Sequence, residues 1–163
     1  MLSKGSGPNY SSNVKITEAL LAEHVVYHNL FDQIELRAPR LKSLAEVIAV
    51  ASLLEAMLAA HSQVEDELLI EPLDHCFEQL GQRDTFHQEH HDIERDLKLA
   101  QTSKTVRGAR KLLLAAVVAS RHHFDKEERL VFPMAEKILS GKSMVALCKH
   151  WLERRTTPWT RTK

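Results

Sequence analysis

Little in this chain forces it to stop or turn. Five glycines and five prolines in 163 residues leave few places where a helix must break. No segment alternates apolar and polar residues in the manner of a half-buried strand. The expected fold is therefore all-α. Cysteine is nearly absent: Cys76 and Cys148 lie far apart and in no C-x-x-C arrangement, which argues against a disulfide framework or a thiolate zinc site. Neither sign of charge prevails, since Lys plus Arg and Asp plus Glu both total 22. The basic surface that phosphate backbones require is missing, so no nucleic-acid partner is expected. No stretch reads as a transmembrane span, and the first residues carry no apolar run suited to a secretion signal. No membrane partner and a cytoplasmic location are the expectations. What the chain has in excess is histidine, ten of them, the side chain most used for metals and for proton transfer near neutral pH.

The few breakers divide the chain simply. Residues 1–13 are rich in Gly, Ser, Pro and Asn and are expected to be disordered. Helices are predicted over 15–37, ended by Pro39, and over 43–70, ended by Pro72. A connector over 73–83 leads to Asp84 as N-cap and to helices over 85–101 and 105–131, the latter stopping before Pro133. A shorter helix over 143–155 follows Gly141, and the tail is expected to be loose. Short links between long helices predict an antiparallel up-down four-helix bundle over 14–140. The additional C-terminal helix and tail occupy 141–163.

A helix in such a bundle turns inward the residues that alternate three and four apart. On the first helix that series is Thr17, Leu20, His24, Tyr27, Phe31, Ile34 and Ala38. On the second it is Leu44, Val47, Ala51, Leu54, Leu58, His61, Glu65, Leu68 and Pro72. The third gives Phe86, His90, Ile93, Leu97 and Ala100. The fourth gives Val106, Ala109, Leu113, Ala116, Ser120, His123, Glu127, Leu130 and Met134. Every seam is mostly apolar, and every seam is interrupted by histidine. Two are interrupted again, by a glutamate one turn later. The i, i+4 spacing turns the second residue only about 40° from the first, so His61 and Glu65 share a direction, as do His123 and Glu127.

Such a pattern is costly unless something compensates. Withdrawing a carboxylate from water without a partner costs several kcal/mol, and a domain has only about 5–15 kcal/mol to lose. A multivalent cation is the most direct compensation. The pattern also repeats: Glu23, His24, Tyr27 and Phe31 correspond to Glu89, His90, Ile93 and Leu97, while His61, Glu65 and Asp66 correspond to His123, Glu127 and Glu128. Two similar halves suit two metals with similar ligands.

Four segments carry a family resemblance: AEHVVYHNLF (22–31), HSQVEDELLIEP (61–72), FHQEHHDIERDL (86–97) and HHFDKEERLVFP (122–133). In their order and spacing they resemble the hemerythrin-like cation-binding family over about residues 15–140. The resemblance implies a four-helix bundle around two iron ions, an oxo- or hydroxo-bridged non-haem diiron centre. It also implies His24, His61, Glu65, His90, His123 and Glu127 as ligands, with the two glutamates bridging. Mixed imidazole and carboxylate donors suit manganese and zinc as well as iron. The chain departs from the oxygen-carrying members, which have two histidines four apart on the third helix and a final aspartate five residues after the last histidine. His87 and His91 have that spacing, but His90 lies on the seam and is preferred, with His87 or His91 left as an extra ligand. His28 is open as ligand, outer partner or rim residue. Tyr27 reads as core packing with a hydroxyl that could reach the site. Asp66 and Glu128 are expected in solvent, so Glu128→Ala is expected to retain metal, and His75, His122 and His150 are given no role.

Function then divides three ways. A diiron centre walled by Phe31, Leu58, Phe86, Leu97 and Leu130 would bind dioxygen or a related small ligand for storage, delivery or sensing. The same centre could instead act as an enzyme on peroxide or nitric oxide. An iron-dependent regulatory module is the third reading. The C-terminal stretch with Trp151, Arg154 and Arg155 reads as a helix capping the bundle, or else as a docking point for an unidentified protein partner.

Overall fold

A computed structural model describes residues 13–79 and 83–156. Among these residues there is no strand. Helix α1 (Ile16–Arg37) begins where Glu18 Oε2 accepts the Lys15 N–H at 2.8 Å, and it ends in a 3-10 turn, Ala38–Arg40, that contains Pro39. Helix α2 (Leu44–Glu65) opens on a capping box: Ser43 Oγ accepts from Glu46 N, and Glu46 Oε2 accepts from Ser43 N. Helix α4 spans Arg83–Thr102, and α5 (Val106–Lys126) is capped by Thr105 Oγ1 accepting from Gly108 N. Helix α7 is Gly141–Thr156. The disorder expected before Asn13, the Gly81 connector and the tail beyond Thr156 lie outside the described residues.

Two boundaries differ from expectation for one shared reason. The second helix does not stop at Pro72. It passes through a π turn (Asp66–Ile70) and a 3-10 turn (Glu71–Leu73) into α3 (Asp74–Gln79). The fourth does not stop before Pro133. It passes through a π turn (Glu127–Val131) into α6 (Phe132–Ile138). A proline inside an α-helix removes a donor and crowds the carbonyl four residues earlier. Here the wider turn ahead of each proline resets that pairing, with Glu71 N bonded to Asp66 O and Phe132 N bonded to Glu127 O.

The inserted turns also move the inward face by one residue. Up to Glu65 and Glu127 the seams run as expected: all seven positions of the first seam are buried, Ala38 in the 3-10 turn included, as are Val47 to Glu65 and Ala109 to Glu127 at their seam positions. Past the turns Leu69, Ile70 and Leu73 are buried where Leu68 and Pro72 were expected. Val131, Phe132 and Ala135 likewise replace Leu130 and Met134. Leu130 is 46% exposed and does not wall the site.

The run Leu44–Gln79 also corrects an expectation about composition. By length and composition it is apolar enough to cross a membrane, with mean hydropathy 1.7 over one window. It is apolar on both faces because its outer side is rich in alanine, with Ala45, Ala49, Ala56 and Ala60 exposed.

The buried side chains form two apolar clusters. One gathers Phe31, Leu54, Leu97, Leu113 and Phe124; the other gathers Leu20, Leu69, Phe77, Phe86, Phe132 and Met144. Each seam crosses from one cluster to the other at its histidine: Leu20, His24, Tyr27 on α1 and Phe86, His90, Ile93 on α4. A polar layer therefore lies between two apolar ones.

Candidate metal centre

In that layer the six seam residues meet. His24, His61, Glu65 and Glu127 form one group of donor atoms, and Glu65, His90, His123 and Glu127 form a second, each within 4.8 Å. Both glutamates belong to both groups. The imidazoles all direct Nε2 inward: His24 Nε2 lies 3.5 Å from Glu127 Oε2, His61 Nε2 3.6 Å from Glu65 Oε2, His90 Nε2 3.8 Å from Glu65 Oε2, and His123 Nε2 2.6 Å from Glu127 Oε1. Glu65 and Glu127 are fully buried, and none of their four carboxylate oxygens makes a well-aligned hydrogen bond, although His123 Nε2 is in close ion-pair contact with Glu127 Oε1. Orphaned buried carboxylates facing imidazole nitrogens fit a pair of cations with shared acid ligands. The donor set of nitrogen and carboxylate oxygen suits iron, manganese or zinc.

Each outer nitrogen faces a carboxylate, within a hydrogen bond at His24, His61 and His123 and as an ion-pair contact without a formed hydrogen bond at His90. His24 Nδ1 lies 3.0 Å from Glu128 Oε1, His61 Nδ1 3.0 Å from Glu23 Oε2, His90 Nδ1 3.3 Å from Asp66 Oδ1, and His123 Nδ1 2.8 Å from Glu89 Oε2. A carboxylate on Nδ1 fixes the tautomer that leaves Nε2 free as a donor and makes it more basic. This overturns the expectation that Asp66 and Glu128 are solvated. Each begins or lies within a π turn and reaches a histidine on a neighbouring helix. The sequence carried a signal for all four outer acids, because each stands beside an inward histidine or glutamate of the repeat (Glu23–His24, Glu65–Asp66, Glu89–His90, Glu127–Glu128). Glu128→Ala should therefore weaken metal affinity about 10–100-fold rather than leave it unchanged. Competition against a chelator of known affinity measures the difference.

The remaining candidates fall outside the two groups. His28 is half-buried, with its Nδ1 3.2 Å from Arg121 Nη1. His87 is exposed at the surface, 3.4 Å from Asp66 Oδ1, and His91 is more exposed still. His75, His122 and His150 are also exposed. Tyr27 donates its hydroxyl to the Met57 carbonyl at 2.7 Å, so its oxygen is engaged away from the centre.

Charge is unevenly shared within the layer. Burial pushes the Glu65 carboxyl well above the usual range, and the adjacent Glu127 charge pushes it further. Burial acts on Glu127 in the same sense, but His123 and His90 outweigh it and hold that carboxyl well below the usual range. Burial drives His24 down to about 3. For His90 burial is outweighed by Asp66 and Glu127, which raise it to about 9, and His123 is raised by Glu127 and Glu89. Without metal, His90 therefore contributes stability that is fully present below its unfolded value near 6.5 and lost as pH rises through about 9. The metal-free melting temperature should fall across that window. Metal-loaded protein should not show this fall, because a ligating nitrogen carries no proton. Thermal melts over the pH series with and without chelator check this.

A cleft of about 370 Å³ between α2 and α4 leads to the centre. Glu55, Asp66, His87, His91 and Glu94 line its polar part, Leu58, Ile93, Leu97 and Phe124 its apolar part, and His61, His90 and His123 also border it. Phe124 stacks on the His24 ring, with centroids 3.9 Å apart and planes 3° from parallel. These walls limit water and leave a route for a small molecule.

The family model described as hemerythrin HHE cation binding domain matches residues 15–135, with a second match over 81–151. No curated protein and no solved structure matches the chain.

Proposed function

The chain belongs to the hemerythrin HHE cation-binding family, and from that premise we propose that it holds two non-haem iron ions and binds dioxygen or a related small ligand. It is a metal-binding hemerythrin-like protein. The observation that carries the two-ion reading is the sharing of Glu65 and Glu127 between two otherwise separate donor groups. His24 and His61 would complete one ion's protein ligands, His90 and His123 the other's, and the two carboxylates would bridge. An antiparallel up-down four-helix arrangement goes with this reading. It is supported by contacts whose residue numbers run in opposite directions: His28 and Pro39 of the α1 end meet Arg121 and Arg110 of α5, and Glu55 and Asp66 meet Gln101 and His90.

Bound iron supplies reversible ligand binding and electron exchange; the chain's own residues set the conditions. Glu23, Asp66, Glu89 and Glu128 orient the imidazoles, while Leu58, Ile93, Leu97 and Phe124 keep the approach largely dry. Four protein donors for each ion leave room for an exogenous ligand. Anaerobically reduced, iron-loaded protein should change its absorption spectrum on exposure to oxygen and recover it on deoxygenation. Sustained consumption of peroxide would instead favour an enzyme. The polar mouth of the cleft, lined by Glu55, Asp66, His87, His91 and Glu94, is the feature on that side.

A further inference from the structure

The two donor groups are alike at their centre and unlike in what holds them from outside. Glu89, which orients His123, is neutralised from within the bundle by Lys126, at 2.8 Å. Glu23, which orients His61, is neutralised from outside it. Its Oε2 accepts from His61 Nδ1 at 3.0 Å, from Arg155 Nη2 at 2.8 Å and from Trp151 Nε1 at 3.4 Å. Arg155 also donates Nη1 to the carbonyl of Ala60, the residue before His61, at 2.8 Å. Both residues come from α7. Its inner stripe, Met144, Cys148, Trp151 and Arg155, repeats at four, three and four, the spacing of one helical face. Met144 and Cys148 are buried in the cluster around Leu20 and Phe132, and Trp151 packs against it. The apolar part of the stripe docks the helix, and its last member reaches the acid and the backbone that set His61.

We propose that Arg155 is a positioning residue for one metal ion only, the ion held by His24 and His61, and that docking of α7 thereby controls how firmly this ion is kept. Arg155 fixes Glu23, Glu23 fixes the tautomer and direction of His61, and His61 presents Nε2 to the ion. Lys126 plays the corresponding part for the ion at His90 and His123. Whatever lifts α7 removes Arg155 from the first ion and leaves the second untouched. The inference rests on the two-ion reading above.

The test uses full-length protein loaded with Zn²⁺, which is redox-silent, and follows release of Zn²⁺ to an excess of chromogenic chelator. In Arg155→Ala one of the two ions should leave about tenfold faster and the other at the wild-type rate. Arg155→Lys, which retains charge and most of the reach, should restore most of the lost time. A His24→Ala chain, holding its ion at His90 and His123, identifies which ion responds. On that background Arg155→Ala should leave release unchanged, and Lys126→Ala should speed it. Equal acceleration of both ions by Arg155→Ala, or of neither, would overturn the role of Arg155 while the two-ion centre stands. Wild-type protein that binds fewer than two Zn²⁺ would instead sink the two-ion reading and this inference with it.

Discussion

Glu65→Ala should release both metal ions, taking the metal-to-protein ratio from two to near zero. The reason is geometric: Glu65 belongs to both donor groups, so its loss leaves each ion with two imidazoles and a share of Glu127. Glu127→Ala should behave alike. His24→Ala removes a donor from one group only and should leave one ion in place. Elemental analysis of the purified variants separates these outcomes, and far-ultraviolet circular dichroism confirms that each variant retains its helices. Loss of a single ion from Glu65→Ala would mean that the carboxylate serves one group alone.

Stripping metal from the wild-type chain should have an effect as large, on stability rather than stoichiometry. Each ion bound a thousandfold above its dissociation constant stabilises the folded state by about 4 kcal/mol. In a chain of this length each kcal/mol moves the melting temperature by about 2–4 °C. Chelating the pair should therefore lower it by roughly 15–30 °C. The physical source is the polar layer: without cations the two glutamates lie buried and adjacent, with only imidazolium contacts and no well-aligned hydrogen bond to balance their four oxygens. Calorimetry on loaded and chelated protein at one pH measures the drop. A change of only a few degrees would mean that the layer is balanced by protons and hydrogen bonds alone.

Much of this centre could be read in the order of residues. His24, His61, Glu65, His90, His123 and Glu127 were placed inward by a three-and-four alternation, and each of them does face inward. The alternation succeeded there because α1, α2, α4 and α5 are regular helices up to those residues. It failed one step later, at Leu68, Pro72, Leu130 and Met134, because a π turn adds a residue that no apolar pattern announces. Asp66 and Glu128 were misplaced for another reason. A seam count along one helix sends them to solvent, because it does not show that α4 and α1 bring His90 and His24 within their reach. Pro72 and Pro133 read as stops because proline is costly in an α-helix, and only the preceding π turn removes that cost. Glu23 and Glu89 were visible as part of a repeat, but their task depends on a neighbouring helix that periodicity along one helix cannot place. Arg155 depends on how α7 returns to α1, which no local pattern encodes.

One measurement tests most directly whether the acids and imidazoles of the inner layer are there to hold cations: elemental analysis of the wild-type protein purified without added metal. Two metal ions per folded chain is the expected result. A folded chain with no bound metal, and none taken up when iron, manganese or zinc is offered, would contradict it.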